Sequence, residues 1–452
     1  MPLTEPVLTK RIPTPPWGDA ADRHTVGYQE YAATGGYGTL AMALKMNPEA
    51  ILDIVKDSQL RGRGGAGFPC GLKWSFLPEP DGGRRYLAIN SDEAEPCTFK
   101  DRLLIDFDPH LVLEGIAITC YACRLDTAYF FIRGEYRTQV TIVENAIREA
   151  YEHGVFGSQG PLGTTGDFAV ECYLHRSAGA YICGEETGLM EAIEGKRAWP
   201  RIKPPFPAVK GIFGRPTIIN NVETLAAVVG IIEHGAQWWK SMGCESSIGA
   251  PPSYGPKLMG VSGHVNRPGC YEVDLGIPLN KLVETYCGGM RGGKRYKGAI
   301  AGGVSMGVLG PDQFEAEMDF DIGRKYQVLG LGTACPTIFD EDTDMVAVAR
   351  NIARFFAKES CGQCTPCREG SAWMYKLLCR IEAGDATSKD LDLLLELAGS
   401  MGVMSGTTIC GLADGNNWAI RTIVNKFRDE FEARVRFASV PSGAVSRAAQ
   451  DE

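Results

Sequence analysis

Three cysteines at two-residue intervals, in Glu359-Ser360-Cys361-Gly362-Gln363-Cys364-Thr365-Pro366-Cys367-Arg368-Glu369-Gly370, are the side chains of this chain best spaced for chemistry. The spacing brings three thiolates to one point, and a turn containing Gly362 and Pro366 keeps backbone N–H groups aimed at the sulfurs. That is the behaviour of an iron–sulfur cluster loop, and a cubane needs a fourth ligand. A ferredoxin-type run supplies it a few residues on, followed by proline; here Arg368-Glu369-Gly370 follow instead. Two candidates lie downstream. Cys379 sits on the apolar stripe of an amphipathic segment, residues 374–381, and packs there like any small hydrophobe. Cys410, the expected ligand, lies in Gly406-Thr407-Thr408-Ile409-Cys410-Gly411-Leu412, a loop between helical segments where Gly411 lets backbone approach an inorganic core. A structural zinc site is the alternative, because four thiolates suit zinc as well as iron. Zinc modules generally offer two separated Cys-x-x-Cys pairs, whereas a triplet with a remote fourth cysteine follows cluster habit.

A second set of small and polar residues precedes this loop. Arg61-Gly62-Arg63-Gly64-Gly65-Ala66-Gly67-Phe68 matches Gly-x-Gly-x-x-Gly, but a helix precedes it and Phe68-Pro69-Cys70-Gly71 breaks the chain after it, so it is not a dinucleotide fingerprint. Its N–H groups can still cradle phosphates or a planar ring. Arg63 and Lys73 would add positive charge, with Phe68, Trp74 and Phe76 as aromatic surfaces. Tyr86-Leu87-Ala88-Ile89-Asn90 reads as a strand ending in Asn90-Ser91-Asp92-Glu93-Ala94-Glu95-Pro96, and polar groups at the carboxyl end of a strand are where α/β proteins place ligands. Amide and carboxylate acceptors there suit flavin N–H edges or sugar hydroxyls. Gly179-Ala180-Tyr181-Ile182-Cys183-Gly184-Glu185-Glu186-Thr187-Gly188 is another small-residue turn opening a helix; one carboxylate would cap it, leaving the other for a ribose or an amide. Lys203-Pro204-Pro205-Phe206-Pro207 presents a cation and a ring, and Asn220-Asn221-Val222-Glu223-Thr224 starts a further helix with amides placed to cap it or hold phosphate.

The elements that must position these groups follow from periodicity. Residues 1 to about 35 read as a Pro-rich extended arm, and residues 39–60 as a helix with Pro48 in a first turn after Asn47. Helices are expected over 103–125 and 138–153, and strands over 128–134 and 168–174, giving a parallel sheet covered on both faces. From about residue 253 a hairpin (257–263, 269–273), a helix (279–287) and a strand (297–303) suggest a small β-grasp domain, for which no titratable cluster argues more than a structural role. Beyond Asp340 the chain reads as a helical bundle holding the cluster at its end. The expected divisions are an N-terminal arm, helix and glycine-rich loop (1–70), an α/β domain (71–250), a β-grasp domain (251–335), a helical cluster domain (336–440) and a polar tail (441–452).

At 452 residues the chain has room for about two to four domains. A net charge of −9 with no basic stripe argues against nucleic acid. Fifteen cysteines, many in apolar strings such as Ile118-Thr119-Cys120-Tyr121-Ala122-Cys123, read as free thiols in a reducing compartment. The start Met1-Pro2-Leu3-Thr4-Glu5-Pro6 lacks a basic and apolar leader. The longest apolar run, 225–232, is about half a membrane span, so membrane association is expected only through partners.

In order along the chain, the six motifs resemble those of the NADH-binding flavoprotein subunit of bacterial respiratory complex I. The resemblance covers nearly the whole chain and implies a Rossmann-like FMN/NADH domain, a β-grasp (SLBB-like) domain and a helical bundle with a [4Fe–4S] cluster. It implies that Gly62, Arg63, Gly64, Gly65, Ala66, Gly67, Lys73, Asn90, Asp92, Gly184, Glu185, Asn220, Asn221 and Thr224 surround FMN, with Glu93 in the same strand-end motif. Phe68, Phe76, Glu95, Tyr181, Glu186, Lys203 and Phe206 correspond to positions that meet NADH. Cys361, Cys364, Cys367 and Cys410 match the cluster ligands. One departure is Cys97, where the family usually has glycine. Hydride transfer to a flavin needs no protein acid or base, only stacking, orientation and exclusion of water, so no catalytic triad is expected; Glu95 and Glu185 would disfavour added negative charge on the reduced cofactor. The implied partners are a thioredoxin-like [2Fe–2S] subunit and a large multi-cluster subunit, at the cytoplasmic face of the inner membrane. Two other readings remain: the diaphorase subunit of a soluble NAD-dependent formate dehydrogenase or hydrogenase, and a non-enzymatic zinc scaffold.

Overall fold

The computed structural model describes residues 5–13, 24–158, 169–246 and 249–436. Parts of the expected arm, the start of the strand expected at Phe168 and the expected polar tail lie outside these.

Four short strands, β1 (Tyr86–Ser91), β2 (Thr127–Ile132), β3 (Glu171–Arg176) and β4 (Thr217–Asn221), form one parallel sheet in the order β3-β2-β1-β4. Period-two alternation sends Leu87, Ile89, Ala128, Phe130 and Ile132 into the large core, and Tyr86, Ala88 and Phe131 into a smaller one on the opposite face. The large core is closed by helices α3 (Pro48–Asp57), α6 (Pro109–Cys123), α7 (Arg137–Glu152) and α9 (Val222–His234). Two short helices, α1 (Tyr28–Ala33) and α4 (Cys70–Trp74), add Tyr31, Cys70 and Trp74 to it. The opposite face is covered by α8 (Glu186–Ile193) and the turn Tyr181–Gly184 before it. Helices α6 and α9 pack closely because Gly115 faces the backbone of Leu225, where a Cβ would lie 2.1 Å from the carbonyl oxygen.

Two expected helices are corrected. The helix expected over 39–60 is two, α2 (Gly38–Ala43) and α3, because Asn47-Pro48 starts a new helix with proline at its first position. The helix expected over 103–125 is also two, α5 (Lys100–Phe107) and α6, since the Asp108 side chain caps Leu111 N–H and Pro109 occupies the first position. The expected helix start at Asn220-Asn221 is present, preceded by β4, a strand that was not expected. Asn221 then caps α9, its side-chain oxygen accepting from Glu223 N–H at 3.1 Å.

The arm lies over its own molecule. Leu8 and Ile12 enter the large core, and the N–H groups of Val7, Leu8 and Thr9, with the Thr9 hydroxyl, all donate to the Glu272 carboxylate at 2.7–3.0 Å. Glu272 belongs to the second domain, whose sheet contains β5 (Pro256–Gly263), β6 (Gly269–Asp274), β7 (Tyr296–Ile300), β8 (Val308–Leu309) and β9 (Thr337–Asp340), in the order β8-β7-β9-β5-β6. Strand β9 pairs parallel to β5 and antiparallel to β7, so this sheet closes only beyond the expected border at 335. Between β6 and β7 the expected helix is a single α-turn, Leu279–Lys281, running into a π-turn, Leu282–Tyr286. Helices α10 (Met345–Glu359), α11 (Thr365–Glu382), α12 (Ser388–Ser400) and α13 (Leu412–Lys426) then bundle around Met374, Leu378, Leu394, Ile420 and Ile423.

Candidate flavin, nucleotide and cluster site

The sheet places its polar strand ends together. Asn90 of β1 stands in register with Asn221 of β4, at the carboxyl ends of the two strands, which is where open α/β sheets hold ligands. The glycine-rich loop lies against this point. It is closed by Gly62 N–H donating to the Phe68 carbonyl at 2.9 Å and Cys70 N–H to the Leu60 carbonyl at 2.7 Å. Its glycines are needed: Gly67 has φ +63° and a Cβ there would lie 2.6 Å from the Phe320 ring, while a Cβ on Gly64 would lie 3.0 Å from that of Asn221.

Gly64, Gly65, Ala66, Asn90, Asp92, Glu95, Tyr181, Gly184, Glu185 and Asn221 share the wall of one cavity of about 580 Å³, within the size range of cofactor sites. Asn90 Nδ2 donates to the Gly184 carbonyl at 2.9 Å, fixing one strand end to the Tyr181 turn. Both carboxylate oxygens of Asp92 are buried without a hydrogen-bond partner, and burial pushes this carboxyl up to about 7. An unsatisfied buried acceptor on a cavity wall is what a ligand donor would complete. Glycine backbone on one side, the unpaired Asp92 carboxylate and the Asn90 and Asn221 amides on the other, and this volume fit a flavin nucleotide.

Several expected contacts take other roles. The Arg63 guanidinium does not face the cavity: it is buried, donates to the Tyr254 carbonyl at 2.8 Å and lies over the Trp239 ring, and burial pulls its pKa down to about 10. Arg61 is the arginine on the cavity wall. Thr224 holds the loop from below, its hydroxyl accepting from Arg63 N–H at 2.9 Å. Lys73 is half-buried with its ammonium on the Ile219 carbonyl at 2.5 Å, and desolvation lowers its pKa. Asn220 points its amide at Cys70 Sγ, 3.6 Å away. None of Arg63, Thr224, Lys73 or Asn220 lines the cavity. The Glu93 carboxylate caps α5, accepting from Asp101 and Arg102 N–H at 2.7 and 3.0 Å and from the Tyr136 hydroxyl at 2.9 Å; burial pushes it up to about 7.

Glu185 caps α8, one oxygen accepting from Thr187 and Gly188 N–H at 2.8 and 2.9 Å, while its other oxygen lies 3.7 Å from Lys203 Nζ. Glu186 pairs with Lys203 at 2.7 Å. Phe68, Phe76 and Phe206 are about half exposed, at 46, 51 and 59 %, with the first two rings 6.2 Å apart. Exposed rings, a cation and carboxylates are the groups that suit a base and a ribose.

Sequence reasoning missed two contributions. A buried charge network lies beneath the strand ends: Lys100 Nζ meets Asp101 at 2.7 Å, Glu223 at 2.9 Å and Asn221 Oδ1 at 3.2 Å, and Lys257 meets Glu223 at 2.6 Å. These residues are scattered in sequence and carry no shared spacing. The β-grasp domain, expected to be purely structural, also supplies part of the cavity wall through Ser305, Met306 and residues 329–333. It does so chiefly with small residues and backbone, which leave no motif.

Cys361, Cys364, Cys367 and Cys410 line a second, smaller cavity with Ser360, Gln363, Thr408 and Leu412. Cys364 is the residue before α11 and Cys367 lies in its first turn, while Cys410 lies just before α13, so the positive ends of two helices lie beside the thiols. Ile409 N–H donates to Cys364 Sγ at 3.3 Å. Cys379 lies well inside α11 and away from this cavity. Four thiols on one cavity wall are the donor set that a [4Fe–4S] core takes. Cys410 and Leu412 belong to the walls of both cavities.

The comparisons agree with this division of labour. Residues 55–230 match the Nuo51 FMN-binding domain, residues 259–309 the SLBB domain, and residues 347–434 the NADH-ubiquinone oxidoreductase-F iron-sulfur binding region. The chain is 47 % identical to the second F subunit of the NADH-quinone oxidoreductases of Rhizobium meliloti over 440 residues, 97 % of this chain and 100 % of that one. It is 42 % identical to the NADH-quinone oxidoreductase F subunit of Mycobacterium bovis, over 97 % of this chain and 95 % of that one. A chain in the crystal structure of NAD⁺-reducing [NiFe]-hydrogenase in the air-oxidized state superposes with a TM-score of 0.79 at 34 % identity, covering 96 % of this chain and 72 % of that one. The fold and site define a flavin- and iron–sulfur-containing oxidoreductase subunit. The chain belongs to the family of NADH-quinone oxidoreductase F subunits.

Proposed function

We infer that this chain is the electron-entry subunit of an NADH:quinone oxidoreductase, binding FMN and a [4Fe–4S] cluster, oxidising NADH and passing the electrons to partner subunits. The observation that carries this reading is the common wall: Cys410 closes both the large cavity at the strand ends and the cavity of the other three cysteines. When bound, the flavin accepts a hydride and releases electrons singly, and the cluster takes them one at a time.

The chain's own residues bind, orient and exclude water. Gly64, Gly65 and Ala66 offer backbone N–H groups and close approach to a phosphate or ring; Asn90, Asp92, Gly184 and Asn221 meet the polar edges of the flavin. Gly62 and Gly67 shape the loop, Arg63, Lys73, Asn220 and Thr224 hold the wall from behind, and Glu93, on the wall itself, caps α5. Phe68, Phe76, Lys203, Glu186 and Phe206 take the nucleotide's outer part, with Tyr181, Glu95 and Glu185 nearer the ring. Glu95 and Glu185 add negative charge beside the flavin and so weaken retention of a second anionic group there. Cys361, Cys364, Cys367 and Cys410 ligate the cluster. A thioredoxin-like [2Fe–2S] subunit and a large multi-cluster subunit would flank the chain at the cytoplasmic face of the membrane. Among the described residues no helix is long and apolar enough to cross a membrane, so the attachment would run through those partners. The match to an NAD⁺-reducing hydrogenase chain favours a second reading, the same site run toward NAD⁺ reduction.

The test is reconstitution with FMN and iron under nitrogen, followed by NADH or NADPH. One FMN per chain, bleached by NADH far faster than by NADPH, is the expected result; an FMN-loaded protein indifferent to both nucleotides would refute the reading.

A further inference from the structure

Tyr181 and Glu95 are held from outside their own domain. The Tyr181 hydroxyl donates to Glu95 Oε2 at 2.6 Å, and its backbone N–H donates to Glu359 Oε2 at 3.1 Å. Its ring stands edge-on to Phe355 and Phe356, centroids 5.1 and 6.3 Å away. All three of these bundle residues lie in the last turns of α10, and Glu359 is its final residue. A carboxylate there faces the negative end of the helix dipole, and a cross-domain N–H donor offsets that cost. The chain then runs directly through Ser360 into Cys361.

The other oxygen of Glu95 belongs to the β-grasp domain. Ser305 donates to Glu95 Oε1 twice, through its N–H and its hydroxyl, each at 2.7 Å. Neighbouring Gly303 fits so closely that a Cβ would lie 2.6 Å from Glu95 Cγ, and a Cβ on Gly415 of α13 would lie 2.7 Å from that of Ser305. A half-buried carboxylate accepting from three donors on two domains is held to one orientation.

We propose that Ser305 and Glu359 are positioning residues for NADH oxidation, fixing the Glu95–Tyr181 pair from the β-grasp domain and from the end of the helix that leads into the cysteine loop. The proposal rests on the placement of Glu95 and Tyr181 in the nucleotide site given above. Neither residue need touch the nucleotide; each acts through a named hydrogen bond.

The test uses FMN- and cluster-loaded protein with ferricyanide as acceptor, and hydrogen exchange on the same preparations. Ser305→Ala and Glu359→Ala are each expected to raise KM for NADH about tenfold, the scale of losing a hydrogen bond to a charged group, with kcat changed less. Glu359→Gln keeps an acceptor oxygen for the Tyr181 N–H and is expected to restore KM; Glu359→Ala is expected to speed amide exchange in the Tyr181–Gly184 turn. Failure of NADH to bleach wild-type flavin would defeat the underlying site reading. Wild-type bleaching together with KM within twofold of wild type in both alanine variants would overturn the positioning roles alone.

Discussion

Cys97 occupies a backbone conformation that glycine adopts at lower cost. Glu95-Pro96-Cys97-Thr98 is a tight turn closed by Thr98 N–H on the Glu95 carbonyl at 3.0 Å, with proline second and a residue at φ +77° third, the pattern in which glycine is favoured. The turn keeps its form with cysteine in place, and the thiol is mostly buried, its pKa pushed up to about 11 by burial, so it is no accessible thiolate beside the flavin. Cys97→Gly is expected to stabilise the protein by about 1 kcal/mol, the cost of holding a side chain in the left-handed region. Chemical denaturation of the two proteins side by side checks this. At this scale the shared cavity of Cys361, Cys364, Cys367 and Cys410 was the most legible part of the chain, because a Cys-x-x-Cys-x-x-Cys run encodes its own geometry. Arg63 was misleading for the opposite reason: a glycine-rich loop fixes where its backbone goes but not which of two flanking arginines turns inward.

Strand ends and helix starts make the site, and one buried carboxylate ties them together. Glu223, in the first turn of α9, accepts from Lys257 and from Leu258 N–H of β5 and meets Lys100 of α5. These partners outweigh its burial and hold its pKa down to about 2. A depressed carboxylate contributes stability that is present above the unfolded-state value, near 4.5, and lost as pH falls through about 2. Glu223→Gln leaves two buried lysines short of their counter-ion and is expected to cost about 3–5 kcal/mol. The variant should also lack the part of acid destabilisation that the wild type shows between those two pH values; urea titrations from pH 5 to pH 2 measure both. Elements were legible where periodicity ran long, as in α7. They were missed where they were short: β4 and β9 have five and four residues, too few for a period to register beside an adjoining helix. The Asp108-Pro109 break was written in the sequence, but it sits within continuous apolar periodicity that masks it.

Three domains share one site, and the contacts between them decide whether it stays assembled. Lys426 near the end of α13 donates to the Val308 and Tyr326 carbonyls and to Gln313 Oε1 at 2.8–2.9 Å, joining the cluster bundle to the β-grasp domain without a carboxylate among its hydrogen-bond partners. Burial lowers its pKa to about 8, from an ordinary 10.5. Folding therefore releases protons in that range, and this residue's contribution to stability rises as pH increases from about 8 to 10.5. Lys426→Met is expected to flatten that part of the pH–stability curve, which thermal unfolding at constant ionic strength would record. The β-grasp domain's place in the site was not legible because it acts through Ser305 and backbone rather than through a charged motif.

The central claim is that one residue, Cys410, belongs at once to the cluster and to the wall of the flavin cavity. Anaerobic addition of NADH to loaded wild-type protein and to Cys410→Ser, followed by flavin absorbance, low-temperature paramagnetic resonance and iron and zinc analysis, tests it most directly. The expected result is about four irons in the wild type, with a cluster signal appearing as NADH is consumed, while Cys410→Ser retains flavin and its bleaching by NADH but loses that signal. Stoichiometric zinc in place of iron, or an unchanged cluster signal in Cys410→Ser, would contradict it.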